Sequence, residues 1–267
     1  MDSTEMAWRI RRHTVEMTHV SHGSHIAPAF SCADIIAVLY TGILNISPQN
    51  LQDKDRDIFI MSKGHAGAAV YAALAECGFI PKEQLLQHYA NGSVLSGHVS
   101  HKGVPGVEFS TGSLGHGCCV AAGMALAKKK DKRKGRVFAL VGDGECEEGS
   151  VWEMALFAKH YSLGNFTVIV DHNKMQSLDY CDKTIGLTKL KEKWEAFGWT
   201  VKEADGHDHE KLKHVLKEQN VEDPCCIIAH TVKGKGVSFM ENNILWHYRD
   251  PQGEYYDAAV KELERKR

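Results

Sequence analysis

Two uninterrupted apolar runs, RVFALV at 136–141 and FTVIV at 166–170, enclose a single helix-length segment. A run with no polar alternation belongs to a strand covered on both faces. Between the runs, Val151, Met154, Ala155 and Ala158 recur at helical spacing and form one apolar stripe. The unit therefore reads strand–helix–strand, with parallel strands and a right-handed crossover. The same alternation extends outward. Helices are expected at 32–44, 63–77, 82–89, 114–130, 150–161 and 209–218, and further strands at 56–61 and 225–229. This pattern predicts an α/β fold, a mostly parallel sheet flanked by helices on both faces. No internal repeat and no low-complexity linker interrupts it, so residues 1–267 read as a single domain with a helical N-terminal part packed on it.

The 267 residues are 43% hydrophobic and 25% charged, enough apolar material for a large core. A formal net charge of −2 argues against a nucleic-acid coat or an anionic membrane partner. The basic residues at 128–130 and 132–134 fall between a helix and a strand, where a solvated turn is expected. Neither Cys118-Cys119 nor Cys225-Cys226 has the CxxC spacing of a metal or redox site. The opening MDSTEMAWRIRR lacks a secretory apolar region, and no apolar run reaches the roughly 18 residues of a membrane span. These features predict a cytoplasmic protein with reduced, mostly buried thiols.

The stretch GDG at 142–144 directly follows the first central strand, and Asn173 follows the second, with 28 residues between Gly144 and Asn173. If the strands are neighbours, they lie roughly 4.8 Å apart. Asp143 and Asn173 then emerge at the carboxyl edge of the sheet, where α/β folds bind ligands. Together they offer hard oxygens of the kind magnesium takes, one or two carboxylates completed by phosphate and water. Gly142 and Gly144 allow a sharp turn, and a helix start near 148–150 adds donors for an anion. The spacing points to a metal-bridged diphosphate. The plain alternative is a strand–helix turn with an Asp helix cap.

Sixteen histidines are present. His25, His65 and His98 follow a small residue, and His247 follows an amphipathic loop. A four-histidine zinc site is the rival reading. The spacings of 40, 33 and 149 residues lack the local pairs that zinc sites use.

The GDG-to-Asn interval resembles the thiamine diphosphate motif. GSHIAPAFSCADIIAVLY, IMSKGHAGAAVYAAL, LSGHVSHKGVPGVEFSTGSLGHG, EAFGWTVKEADGHD and TVKGKGVSFMENNILWH, in that order, resemble the N-terminal half of transketolase over nearly the whole chain. The resemblance implies the thiamine diphosphate-binding fold of its diphosphate-binding domain. It implies that Asp143 and Asn173 ligate Mg²⁺ by side chain and Met175 by its backbone carbonyl. It places Gly144 at the diphosphate and Gly112, Ser113 and Leu114 along the cofactor site. Glu148 matches a family glutamate near the dimer interface, counted here with the cofactor residues. His65 and His247 are implied near the diphosphate and reacting centre, His25 and His98 near substrate hydroxyls. His25, His98 and His247 are the candidates for proton transfer, which a near-neutral pKa suits.

Three positions depart from the family's frequent pattern: His25-Ile26, Leu114-Gly115-His116-Gly117 and His172-Asn173. They bear on substrate preference. A longer transketolase chain continues into a pyrimidine-binding domain, whereas this one ends at Arg267. The resemblance therefore implies a split enzyme, active only with a C-terminal transketolase subunit that carries the pyrimidine-binding domain, in an α2β2 assembly. The implied reaction moves a two-carbon ketol unit from a ketose to an aldose, on sugars or sugar phosphates. The alternatives are the α subunit of a 2-oxo acid dehydrogenase, a deoxyxylulose phosphate synthase, and a non-catalytic regulator.

Overall fold

The two apolar runs are adjacent parallel strands inside a five-stranded sheet. The computed structural model describes residues 1–186, 188–218, 222–265 and 267. Its strands are β1 (Ile58–Met61), β2 (Val137–Gly142), β3 (Phe166–His172), β4 (Thr200–Asp205) and β5 (Cys225–His230), in the spatial order β1-β2-β3-β5-β4. Every pairing is parallel. The helices are α1 (Ser3–Ser21), α2 (Ile26–Ser31), α3 (Ala33–Val38), α4 (Gly67–Glu76), α5 (Gly117–Lys130), α6 (Gly149–His160), α7 (Cys181–Thr184), α8 (Leu190–Ala196), α9 (His209–Lys217) and α10 (Glu254–Arg265).

Alternate residues of the central strands enter different cores. Phe138, Leu140, Ile169 and Ile227 join Met6, Ile35, Tyr71 and Leu212, the buried faces of α1, α3, α4 and α9. Val137, Ala139, Val141, Val168 and Val170 join Ala121, Met154 and Trp194 from α5, α6 and α8. Each fully buried Val or Ile contributes roughly 1.5–3 kcal/mol, so covering both faces fixes strand register firmly. A third cluster of Val15, Ile26, Phe30, Val237, Met240, Trp246 and Leu263 ties α1 and α2 to α10 and to the segment after β5.

The departures from the sequence reading are local. α5 begins at Gly117 rather than 114, because Gly115 has φ +78° and a Cβ there would lie 2.3 Å from Ser150 Oγ. Residues 82–87 form a 3₁₀ turn after Pro81, not an α-helix, and the chain turns at Tyr89 with φ 58°. The helix expected at 63–77 opens with a 3₁₀ turn, Gly64–Ala66, before α4. β4 has no counterpart among the expected strands. It is an edge strand with three half-buried residues, one buried and two exposed, so it lacks an apolar run. Among the described residues no helix is long and apolar enough to cross a membrane, and all eight cysteines are free.

Candidate functional site

The register of β2 on β3 sets Gly142 beside Asp171, so the following residues leave the sheet together. Asp143 is 4% exposed. One of its carboxylate oxygens accepts from the Gly144 N–H at 2.8 Å and the other from the Lys174 N–H. Burial, then the nearby Asp171 charge, push the Asp143 carboxyl up to about 6, against those two N–H bonds. Asp171 itself is ion-paired with Lys63 and also accepts from Ser31 and Thr231 hydroxyls. Burial alone would raise Asp171; the Lys63 charge and these bonds hold it below the ordinary carboxylate value. The Asn173 amide donates to Asp171 at 3.2 Å, and its Oδ1 accepts from the Met175 N–H at 3.1 Å.

Lys233 enters from the other side. Its Nζ donates to the carbonyls of Met175 (3.2 Å) and Gln176 (2.9 Å) and to His247 Nδ1 (2.9 Å). It is 1% exposed. Burial, then the Lys63 charge, bring it down to about 8. Among the described residues Lys63 has its carboxylate partner, whereas Lys233 meets only carbonyls and an imidazole. A buried cation of this kind is complementary to an anionic ligand. Because an ammonium only donates, His247 Nδ1 is the acceptor and its proton sits on Nε2.

The four candidate histidines, 222 residues apart at the extremes, converge. His25 lies 5.4, 5.5 and 5.1 Å from the rings of His65, His98 and His247, centroid to centroid, and His65 lies 5.6 Å from His247. The His25 N–H donates to the His247 carbonyl at 2.9 Å. His25 adopts a left-handed conformation, φ 74°, at the start of α2, a strained backbone that only surrounding structure maintains. Burial lowers all four; His25 falls to about 4 and His247 to about 2. They are neutral imidazoles at pH 7, able to donate and accept. Among the described residues no group of three or more His, Cys, Asp or Glu could hold a metal ion.

Gly64 lets the His65 turn sit against Thr111, where a Cβ would come within 2.6 Å of backbone. Glu145 ties the remaining loops together. Its carboxylate accepts from Ser62 Oγ (2.5 Å), Gly115 N–H (2.9 Å) and Gly142 N–H (3.1 Å).

These groups line one cavity of about 230 Å³. It takes in His25, His65, His98 and His247, Gly112 and Leu114, and Asp143, Gly144, Asn173 and Met175. Ser113 and Glu148 do not line it and are exposed, Glu148 at the start of α6. Lys63, Lys233 and Glu145 also line or brace the cavity and were missed in the sequence. Lysine before or between glycines, as in SKGH and VKGKG, was the available signal. A larger cavity of about 660 Å³, beside Trp8 and Leu263, is lined by none of these groups, so the smaller one is the candidate site.

The donors fit a hard divalent cation. A buried carboxylate with a raised pKa, an amide and a carbonyl are all oxygen ligands, and they number too few to enclose the ion without ligand phosphate and water.

Residues 3–254 match the family model for transketolase, thiamine diphosphate binding domain. The chain is 38% identical over 255 residues to an apulose-4-phosphate transketolase subunit of Phocaeicola vulgatus, covering 95% of this chain and 90% of that one. It is 36% identical over 267 residues to a 6-deoxy-6-sulfo-D-fructose transketolase subunit of Clostridium sp., covering 99% and 97%. The transketolase of Campylobacter jejuni superposes with a TM-score of 0.91 at 28% identity, covering 98% of this chain but 42% of that one. The chain thus spans less than half the length of that solved relative.

Proposed function

We infer the role of this chain from its family: it belongs to the transketolases, through the thiamine diphosphate binding domain that occupies residues 3–254. We propose that it is the diphosphate-holding subunit of a two-chain transketolase. The observation that carries this is the buried, unneutralised Asp143 facing the buried Lys233 across the Asn173–Met175 turn, beneath four neutral histidines. Asp143, Asn173 and the Met175 carbonyl would hold Mg²⁺. Lys233 would meet the diphosphate, and the backbone at Gly112, Leu114 and Gly144 would let it approach. Ser113 would contribute through its backbone, and Glu148, being exposed beside the Gly115 turn, through a neighbouring subunit. When bound, thiamine diphosphate supplies the electron sink for making and breaking a carbon–carbon bond beside a carbonyl.

The chain's own residues then position substrate and move protons. His25 and His98 would bond sugar hydroxyls, and His247, with its proton on Nε2, would donate toward the reacting oxygen. His65, nearly enclosed, would exclude water and shape the floor. His98→Ala is expected to lower kcat/KM by about 100-fold while leaving cofactor affinity within about threefold; steady-state kinetics and calorimetry on the assembled enzyme separate the two. An equal loss in both would remove His98 from substrate handling.

The pyrimidine end of the cofactor and the charged end of the sugar need further residues. Relatives of matching length are named as transketolase subunits, and the solved transketolase chain is more than twice as long. A C-terminal subunit bearing the pyrimidine-binding domain therefore completes the site, in an α2β2 assembly, on ketoses and aldoses that carry phosphate or sulfonate. The eight unpaired cysteines support a reducing, cytoplasmic setting for the assembly. The purified chain alone is expected to show no ketol transfer, with activity rising to saturation as a partner subunit is titrated in. Full turnover by the chain alone would overturn the split assignment.

A further inference from the structure

We propose that His207 is a positioning residue that fixes Lys233 in the cofactor site through the backbone of Val232; this rests on the diphosphate reading above. Lys233 sits in a segment, TVKGKGV, that follows β5 and forms neither helix nor strand. Gly234 and Gly236 have φ of 81° and 109°, so this backbone has little conformational preference of its own. Yet Lys233 Nζ must arrive within 3.2 Å of three acceptors in a closed pocket. Its aim has to come from outside the segment.

Among the contacts that hold the segment, the Asn242 N–H donates to the Lys233 carbonyl at 2.9 Å, and three more come from α1, α2 and the loop after β4. The Val232 N–H donates to His207 Nε2 at 2.9 Å. Arg11 Nε donates to the Lys235 carbonyl at 2.8 Å, and the Gly234 N–H donates to the Ala27 carbonyl at 3.1 Å. The His207 and Arg11 contacts share an anchor. Asp34, 6% exposed on α3, accepts from His207 Nδ1 at 2.6 Å and from the Arg11 guanidinium at 2.6 and 3.1 Å. The geometry dictates the tautomer. A backbone N–H can only donate, so Nε2 carries the lone pair and Nδ1 the proton, which goes to the carboxylate. Both ring nitrogens are committed, and none of the ring lines the cofactor cavity.

The fold explains why a histidine two residues past β4 can reach Val232. β4 lies beside β5 with Asp205 opposite His230, and the Gly206 N–H donates to the His230 carbonyl at 2.8 Å. The loops after the two strands therefore run side by side. His207 acts on the site by setting where the Val232–Lys233 peptide lies.

The test is a double-mutant cycle on the full chain, with magnesium pyrophosphate and magnesium thiamine diphosphate as probes in calorimetry. His207→Phe is expected to weaken binding about tenfold, the worth of one hydrogen bond that orients a charged group. His207→Gln, which can still accept from Val232, is expected to recover most of that loss. In a Lys233→Ala background, His207→Phe should cost nothing further, because its route to the ligand is gone. Wild-type binding by His207→Phe, or the same tenfold loss in both backgrounds, overturns the proposal. If His207→Phe does not fold, hydrogen exchange at the Val232 amide of the wild-type chain decides. Saturating probe should slow it at least tenfold, about 1.4 kcal/mol of added protection, and an unchanged rate overturns the proposal. Failure of the wild-type chain to bind either probe defeats the diphosphate reading itself, a result distinct from an additive cycle.

Discussion

Asp143→Ala is expected to weaken magnesium-dependent binding of thiamine diphosphate by more than about 1,000-fold, because even an outer partner of a metal ligand is worth 10–100-fold. Asp143 is the one carboxylate in the proposed ligand set, and Asn173 and the Met175 carbonyl would bring no charge. The substitution should cost the empty chain little. Its carboxylate is buried beside Asp171 without an ion-pair partner among the described residues, and it is pushed up to about 6. A residue that burdens the empty protein yet governs the loaded one is the mark of a binding group. Calorimetry with and without Mg²⁺, beside thermal unfolding of the empty variant, measures both halves. Undiminished affinity in the variant would remove Asp143 from the site.

The second large effect is on acid stability. His25 and His88 are held down to about 4 and His247 to about 2, in each case first by burial. Unfolded histidine titrates near 6.5. Between about pH 4 and 6.5 the unfolded chain therefore binds protons that the native chain refuses, and stability falls as pH falls. Asp143 opposes this, since its native carboxyl takes a proton near 6 that the unfolded one takes near 3.9. At pH 5 these three rings, with His65 and His172, which burial also lowers, gain more protons on unfolding than the one lost at Asp143, so stability should drop by at least about 2–3 kcal/mol per pH unit. Urea midpoints of the empty chain at pH 5.0, 6.0 and 7.0 test this. A flat profile would mean that these rings carry charge in the native state.

The sheet and the Asp143–Asn173 pairing were legible because they depend on short patterns. RVFALV and FTVIV are apolar at nearly every position, which few structures other than a doubly covered strand accept. Parallel pairing then forces the two strand ends together. Lys63 and Lys233 were not legible, since lysine is ordinarily exposed and only tertiary packing reveals these two as buried. Glu145 looked like one acid among several in GDGECEEG, and its three bonds come from three separate segments. β4 escaped because an edge strand pairs on one side and keeps polar residues such as Lys202 and Glu203. The resemblance located the histidines; their convergence is a property of the fold.

The bond from the His25 N–H to the His247 carbonyl joins groups made far apart in time. At ribosomal speeds of about 5–20 residues per second, His25 waits roughly 10–40 s before its partner is translated. Until then the left-handed turn at His25 lacks this bond, and for most of that interval the β5 extension that delivers Lys233 has not emerged. A nascent fragment that ends before residue 247 therefore lacks this bond, and the corner of the cavity it closes can form only late in synthesis.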